Sequence, residues 1–358
     1  MYGARSLRWG SRIGGIVDSR EKWSAEVSEG ISSGMVVTLN GYCYALGSYG
    51  TLHAIDLESG KIKWKLKIPV EGIRVTDIRV VEGYLVVEFF VIDLNSHEIC
   101  ADLRDYVGSL PIKNATPVEI HDSRIFRVIN AKLAPGKVLV FDLMSKESEV
   151  IDIGMMNLCM PDASSILGWK KEGDSYLLSK YRVDSGKLEV VSDKVNLGRL
   201  LLEGTQILVL NTAEIGLIDV QNGTVAWNAN LVELVHPIDP QFSSQFRISM
   251  CDDAIYIEQS DFLLAIERSS GKVIWSRQFT RIQQTCIVGD LLYGICEDYK
   301  LFAVDRYTGD EVWSAHEKLP WHSPKAIDNK VLFVSATGHI LCCEWDKSNP
   351  YHSPARPD

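Results

Sequence analysis

One pattern constrains this chain more than any other. Leu301-Phe-Ala303-Val-Asp305-Arg-Tyr-Thr308-Gly309-Asp-Glu-Val-Trp313 reads as a strand, a four-residue turn and a second strand. The same layout recurs in Leu52–Trp64 (with Asp56 and Gly60), Ile215–Trp227 (Asp219, Gly223) and Leu263–Trp275 (Glu267, Gly271). Its consensus is Leu-x-Ala-x-Asp-x-x-Thr/Ser-Gly-x-x-x-Trp, and four matches in 358 residues exclude compositional accident.

The pattern makes physical sense as a hairpin. Alternating apolar residues put one face of the first strand into a core. The acid before the turn can accept hydrogen bonds from turn N–H groups, and glycine supplies the positive φ that the turn needs. Tryptophan offers a broad apolar plate to a neighbouring unit, and the small alanine on the partner strand leaves room for it.

Tryptophan spacing sets the period. Trp275 and Trp313 are 38 residues apart, Trp227 and Trp275 are 48 apart, and the 163 residues from Trp64 to Trp227 hold about four further periods. Degenerate units fill that gap at Phe89–His97, Val138–Leu143 and Tyr176–Gly186. Each unit fits four short strands, in the best case Thr285–Val288, Leu291–Cys296, Leu301–Asp305 and Glu311–Ala315. A period near 40 residues with four strands per unit predicts an all-β chain, a β-propeller.

The two ends explain each other. Lys325–Ile327, Val331–Ser335 and His339–Glu344 supply three strands with no fourth after them. Glu21–Val27, with Trp23 placed 41 residues before Trp64, reads as an orphan fourth strand. The N-terminal strand is therefore expected to complete the last blade and close the ring. Fourth strands at Trp23, Trp64, Ala101, Val150, Val190, Trp227, Trp275 and Trp313 give eight blades, with seven as the alternative count. Residues 1–20 form an N-terminal extension, 21–346 one propeller and 347–358 a tail.

Composition narrows the function. With 37 basic and 47 acidic residues the net charge is −10, against the basic footprint of nucleic-acid binding. No apolar run approaches the roughly 18 residues of a membrane span, and no export signal is legible after Arg8. The expectation is a cytoplasmic protein with no membrane or nucleic-acid partner. The eight cysteines sit mostly inside apolar strand patterns and contain no Cys-x-x-Cys pair, so buried free thiols are expected and a zinc site is not.

The repeats resemble the quinoprotein-dehydrogenase-like propellers, whose tryptophan-docking motif is Ala-x-Asp-x-x-Thr-Gly-x-x-x-Trp. Ala303, Asp305, Thr308, Gly309 and Trp313 match it fully. The resemblance implies a propeller fold. It also implies two kinds of function: pyrroloquinoline-quinone (PQQ) dependent alcohol dehydrogenases, and cofactor-free scaffolds such as the eight-bladed outer-membrane assembly lipoprotein. The dehydrogenases carry a disulfide between adjacent cysteines, and Cys342-Cys343 is an adjacent pair. On a strand those neighbours point to opposite faces, which favours two separately packed thiols. No Gly-x-Ser-x-Gly, P-loop or His-Glu-x-x-His motif occurs. We expect no enzymatic activity, no bound cofactor and no metal.

What remains is a set of longer connections between blades: Asp105–Pro117, Leu231–Phe246 and Glu317–Pro324. They carry Tyr106, Leu110, His236, Phe242, Phe246, Trp321 and His322, and aromatic residues on loops suit protein-binding hot spots. The expected function is non-enzymatic protein binding. Its most specific form is a cytoplasmic inhibitor, an immunity protein that neutralises a basic, nuclease-type toxin. The alternatives are an assembly scaffold similar to the outer-membrane propeller and a PQQ-dependent dehydrogenase.

Overall fold

A computed structural model describes residues 21–344. It leaves out 28–29, 71–74, 76–77, 82, 108–117, 130–135, 194–195, 204, 212–213, 231–246, 260, 299, 317–320 and 329. The described strands form eight antiparallel sheets of four, and the helical structure among these residues is one 3₁₀ turn, Leu103–Tyr106. The chain is an eight-bladed β-propeller.

Two compact units share the chain. The first comprises residues 1–65, 258–265 and 274–358, and the second 66–257 and 266–273. In the first, one blade is β2 (Ile31–Leu39), β3 (Tyr42–Gly47), β4 (Thr51–Asp56) and β5 (Ile62–Lys67). Another is β26 (Ile282–Val288), β27 (Leu291–Cys296), β28 (Lys300–Asp305) and β29 (Glu311–His316). The last joins β30 (Trp321–Ile327), β31 (Lys330–Ser335) and β32 (His339–Glu344) to β1 (Glu21–Glu26), with Trp23 facing Cys342 across the ladder. The N-terminal strand thus completes the C-terminal blade, as its orphan sequence predicts.

The second unit holds four blades. They are β6 (Ile78–Val81), β7 (Tyr84–Val87), β8 (Phe90–Asp93) and β9 (Glu98–Asp102); then β10 (Glu119–His121), β11 (Arg124–Ile129), β12 (Lys137–Asp142) and β13 (Ser148–Asp152). Next come β14 (Met155–Asp162), β15 (Ser165–Glu172), β16 (Ser175–Arg182) and β17 (Lys187–Ser192), and finally β18 (Arg199–Glu203), β19 (Gln206–Leu210), β20 (Glu214–Asp219) and β21 (Val225–Asn230). The eighth sheet is β22 (Arg247–Met250), β23 (Ala254–Gln259), β24 (Phe262–Glu267) and β25 (Val273–Gln278).

Burial departs from simple alternation. Middle strands such as β23 and β27 are buried along their whole length, whereas the outer β5 alternates. A sheet packed on both faces needs apolar residues on both, so its middle strands read as continuous apolar runs. Leu291, Tyr293, Ile295 and Leu301 pack with Val331, Phe333 and Leu341 of the next sheet, which places the core between blades.

The turn before each outer strand is one device used seven times. The N–H four residues on donates to the carbonyl of the turn's first residue: Gly60 to Asp56 (2.8 Å), His97 to Asp93, Lys146 to Asp142, Gly186 to Arg182, Gly223 to Asp219, Gly271 to Glu267 and Gly309 to Asp305. The acid does what the pattern predicts, since Asp305 Oδ1 accepts from the N–H groups of Tyr307 and Thr308, both at 2.9 Å. The donor residue takes positive φ even as His97 (59°) and Lys146 (61°), where the sequence has no glycine.

Candidate binding surfaces and the tryptophan junctions

Of the residues proposed as a partner face, Tyr106, Trp321 and His322 fall among the described residues. Tyr106 ends the 3₁₀ turn and packs edge-on to Phe141, with ring centroids 4.8 Å apart, in a core shared with Phe89 and Val107. Its ring folds back over the blade. Trp321 and His322 lie on strand β30, a correction to their loop assignment, because the connection before it spans only 317–320. His236, Phe242, Phe246 and Leu110 lie outside the described residues.

Three tryptophans of the repeat share one geometry. Trp275 donates its indole N–H to the Arg306 carbonyl at 2.9 Å, and a Cβ on Gly309 would stand 2.6 Å from its ring. Trp227 repeats this with the Arg268 carbonyl (2.7 Å) and Gly271, and Trp23 with the Leu57 carbonyl (2.7 Å) and Gly60. In each case the plate lies on the glycine of the next blade's turn, and its N–H reaches the residue after the turn's acid. Only hydrogen fits between ring and backbone there, so glycine serves the contact as well as the φ angle. Trp23, Trp227 and Trp275 are buried, whereas Trp64 and Trp313 are half-buried.

The N-terminal junction carries added charge pairing. Exposed Glu58, beside Leu57, receives Lys22 of β1 at 2.6 Å and Lys330 of β31 at 2.5 Å, and Lys22 also approaches Glu344 at 3.6 Å.

Blade β14–β17 breaks the rule. In β28 and β29 Trp313 faces Ala303, one residue past a bulge. In β16 and β17 the bulge comes later, between the pairs Ser179–Val190 and Leu178–Ser192. Glu189 therefore stands opposite Lys180 at the ladder position that Trp313 and Ala303 hold in β28–β29. The glycine of the following turn, Gly223, meets the Val191 carbonyl instead of a ring, at 1.9 Å from a would-be Cβ. Beside this contact lies a pocket of about 380 Å³, lined by Lys180, Arg182, Glu189, Val190, Val191 and Val220–Gly223. Deeper in the same junction, fully buried Trp169 of β15 donates its N–H to the Gly198 carbonyl at 2.8 Å. Sequence spacing gave no hint of Trp169, but Lys180 at the alanine position was a visible departure.

Buried polar pairs mark other places. Arg127 and Glu88, both almost wholly buried, are joined at 2.6 Å, and the guanidinium covers the Phe89 ring. Glu258 accepts the Thr285 hydroxyl in a buried contact. All eight cysteines are free thiols. Burial pushes Cys43 up to about 12 and Cys342 up to about 11. Cys342 and Cys343 lie inside β32, paired on one side to β31 and on the other to β1. Two thiols in the middle of a four-stranded sheet, facing opposite ways, do not fit the disulfide that would flank a quinone.

The family model described as outer membrane protein assembly factor BamB, built on PQQ-type repeats, matches residues 13–94 and 187–315, more than half the chain. The chain belongs to this family. BamB of Shewanella oneidensis is 24% identical over 155 residues, covering 39% of this chain and 38% of that protein, so the match spans less than half of the relative's length. BamB of Moraxella catarrhalis superposes with a TM-score of 0.64 at 13% identity, over 91% of this chain and 99% of that one. The quinohemoprotein alcohol dehydrogenase of Comamonas testosteroni gives the same TM-score at 12% identity, over 92% of this chain and 77% of that one. At such identities the structural likeness establishes the BamB-like propeller fold alone.

Proposed function

We propose that this BamB-like propeller is a non-enzymatic scaffold that holds another protein. The observation that carries this reading is the match of its repeats, at 13–94 and 187–315, to a family described as an assembly factor. The packing is consistent with it: the repeat's acids are spent inside their own turns and Trp23, Trp227 and Trp275 on blade-to-blade contacts, which leaves partner recognition to surface that differs from blade to blade. Incubation with pyrroloquinoline quinone and calcium should give no bound chromophore and no dye reduction, and stoichiometric uptake would replace the scaffold with a dehydrogenase.

The net charge of −10 favours a basic partner, because opposite charge steers encounter. The finer form of the proposal is therefore a cytoplasmic immunity protein for a basic toxin. Co-expression with the partner's gene tests it: relief of toxicity supports inhibition, whereas a harmless partner held in a stable assembly leaves the scaffold and removes the inhibitor. Affinity for the partner should fall steeply between low and high salt.

A further inference from the structure

We propose that the pocket between blade β14–β17 and the turn Asp219–Gly223 is a vacated tryptophan slot that receives a tryptophan from a partner protein's extended segment. It rests on the protein-binding reading and names the group that is bound. Three junctions show what this architecture holds at that place: an indole whose N–H reaches the carbonyl after the turn's acid, at Leu57, Arg268 and Arg306. At the junction with the turn Asp219–Gly223, the corresponding residues Val220 and Gly223 line an open pocket of about 380 Å³. Its walls are Val190, which is 59% exposed, and Val191.

The vacancy has a cause in the chain. The displaced bulge puts Glu189 opposite Lys180, and neither can supply an aromatic plate. The Val191 carbonyl covers Gly223 itself, so an incoming ring would rest beside the glycine against the two valines. Val190 and Val191 give the groove an apolar wall where Trp23, Trp227 and Trp275 supply a ring at their own junctions.

Charge selects the segment. Lys180 and Arg182 border the pocket, and its one carboxylate, Glu189, is already engaged by Lys187 at 3.1 Å and Arg182 at 3.7 Å. Local charge is thus opposite in sign to the chain as a whole, and it suits a tryptophan preceded by an acid. The chain's own outer strand Asp310-Glu-Val-Trp-Ser-Ala315 has that composition and is the natural probe.

The experiment is calorimetric titration of the intact protein with the capped peptide Ac-Asp-Glu-Val-Trp-Ser-Ala-NH2. Saturable 1:1 binding is expected, with a loss of about tenfold or more when the peptide's tryptophan becomes alanine. Glu189→Trp, which offers the slot an indole of its own, should abolish binding. Should that variant fail to fold, Val190→Arg on the exposed wall and Arg182→Glu on the rim should each weaken binding severalfold. No binding, or unchanged binding to all three variants, overturns the proposal. Equal affinity for N-acetyltryptophanamide would make the occupant a small molecule, and a dimer dissolved by the peptide would make it a second copy. Either result overturns the partner segment. A scaffold whose partner docks elsewhere would still capture that partner as Glu189→Trp, so the two readings fail separately.

Discussion

Trp275 lies against Gly309 of the following blade, where any side chain larger than hydrogen would strike the ring within 2.6 Å. The contact joins two sheets through one plate and one hydrogen bond. Trp275→Ala should cost roughly 3–5 kcal/mol in urea unfolding, since it removes a buried aromatic without refilling the space. Trp275→Phe keeps an apolar ring but abandons the Arg306 carbonyl, for a loss of about 1 kcal/mol or more. Half-buried Trp313 should lose less than Trp275 when truncated.

The positive-φ turn position separates the blades by residue type. Gly309→Ala combines a left-handed backbone (φ 73°) with the ring clash and should be strongly destabilising. His97→Gly and Lys146→Gly should instead stabilise by about 1 kcal/mol each, because glycine carries no Cβ penalty there. A drop in thermal midpoint for both would show that their side chains matter more than their backbone.

Breaking the Arg127–Glu88 pair from one side should be costly. Arg127→Met leaves a buried carboxylate and should lose about 3–5 kcal/mol. The double change Arg127→Met with Glu88→Gln should recover much of it. A double-mutant cycle with no coupling would show that the pair does not hold the Glu88–Phe89 turn.

Acid should loosen the turns in a defined window. Hydrogen bonds from the Ser59 hydroxyl and N–H hold Asp56 down at about 2, and the Ser145 N–H heads the groups that lower Asp142. A carboxyl with a depressed folded-state value contributes stability above its unfolded value, near 4, and loses it as pH falls through the folded one. Stability should therefore decline from about pH 4 towards pH 2. Asp56→Asn should flatten its share of that slope.

Thiol chemistry offers a direct check on the core. Exposed Cys100 should react first with a thiol reagent in the native protein, while buried Cys43, Cys159 and Cys342 wait for unfolding. Mass spectrometry without reduction should find no Cys342–Cys343 disulfide.

The blade count was legible because the turn survives where tryptophan does not, with its acid kept at Asp93 and Asp142 and replaced at Arg182. All eight proposed outer-strand markers, Ala101, Val150 and Val190 included, fall on outer strands. The start of β30 was misread because Pro324 looks like the end of a loop. Yet β30 is the edge of its sheet, where a missing N–H removes no ladder bond. The pocket was hidden for another reason: a bulge displaced along β17 changes which residue faces Lys180 without changing the spacing.

The pairing of β1 with β32 sets an order of events at the ribosome. Trp23 is made early and its ladder partner Cys342 more than three hundred residues later. At ordinary translation speeds that delay is on the order of tens of seconds. Throughout it the strand Glu21–Glu26 has no native partner, and when β30–β32 emerge their sheet has one open edge waiting for it. The blade of β30–β32 therefore closes only by capturing a strand made long before it, and a nascent chain whose β1 is taken by a neighbouring ribosome's product would exchange strands with it.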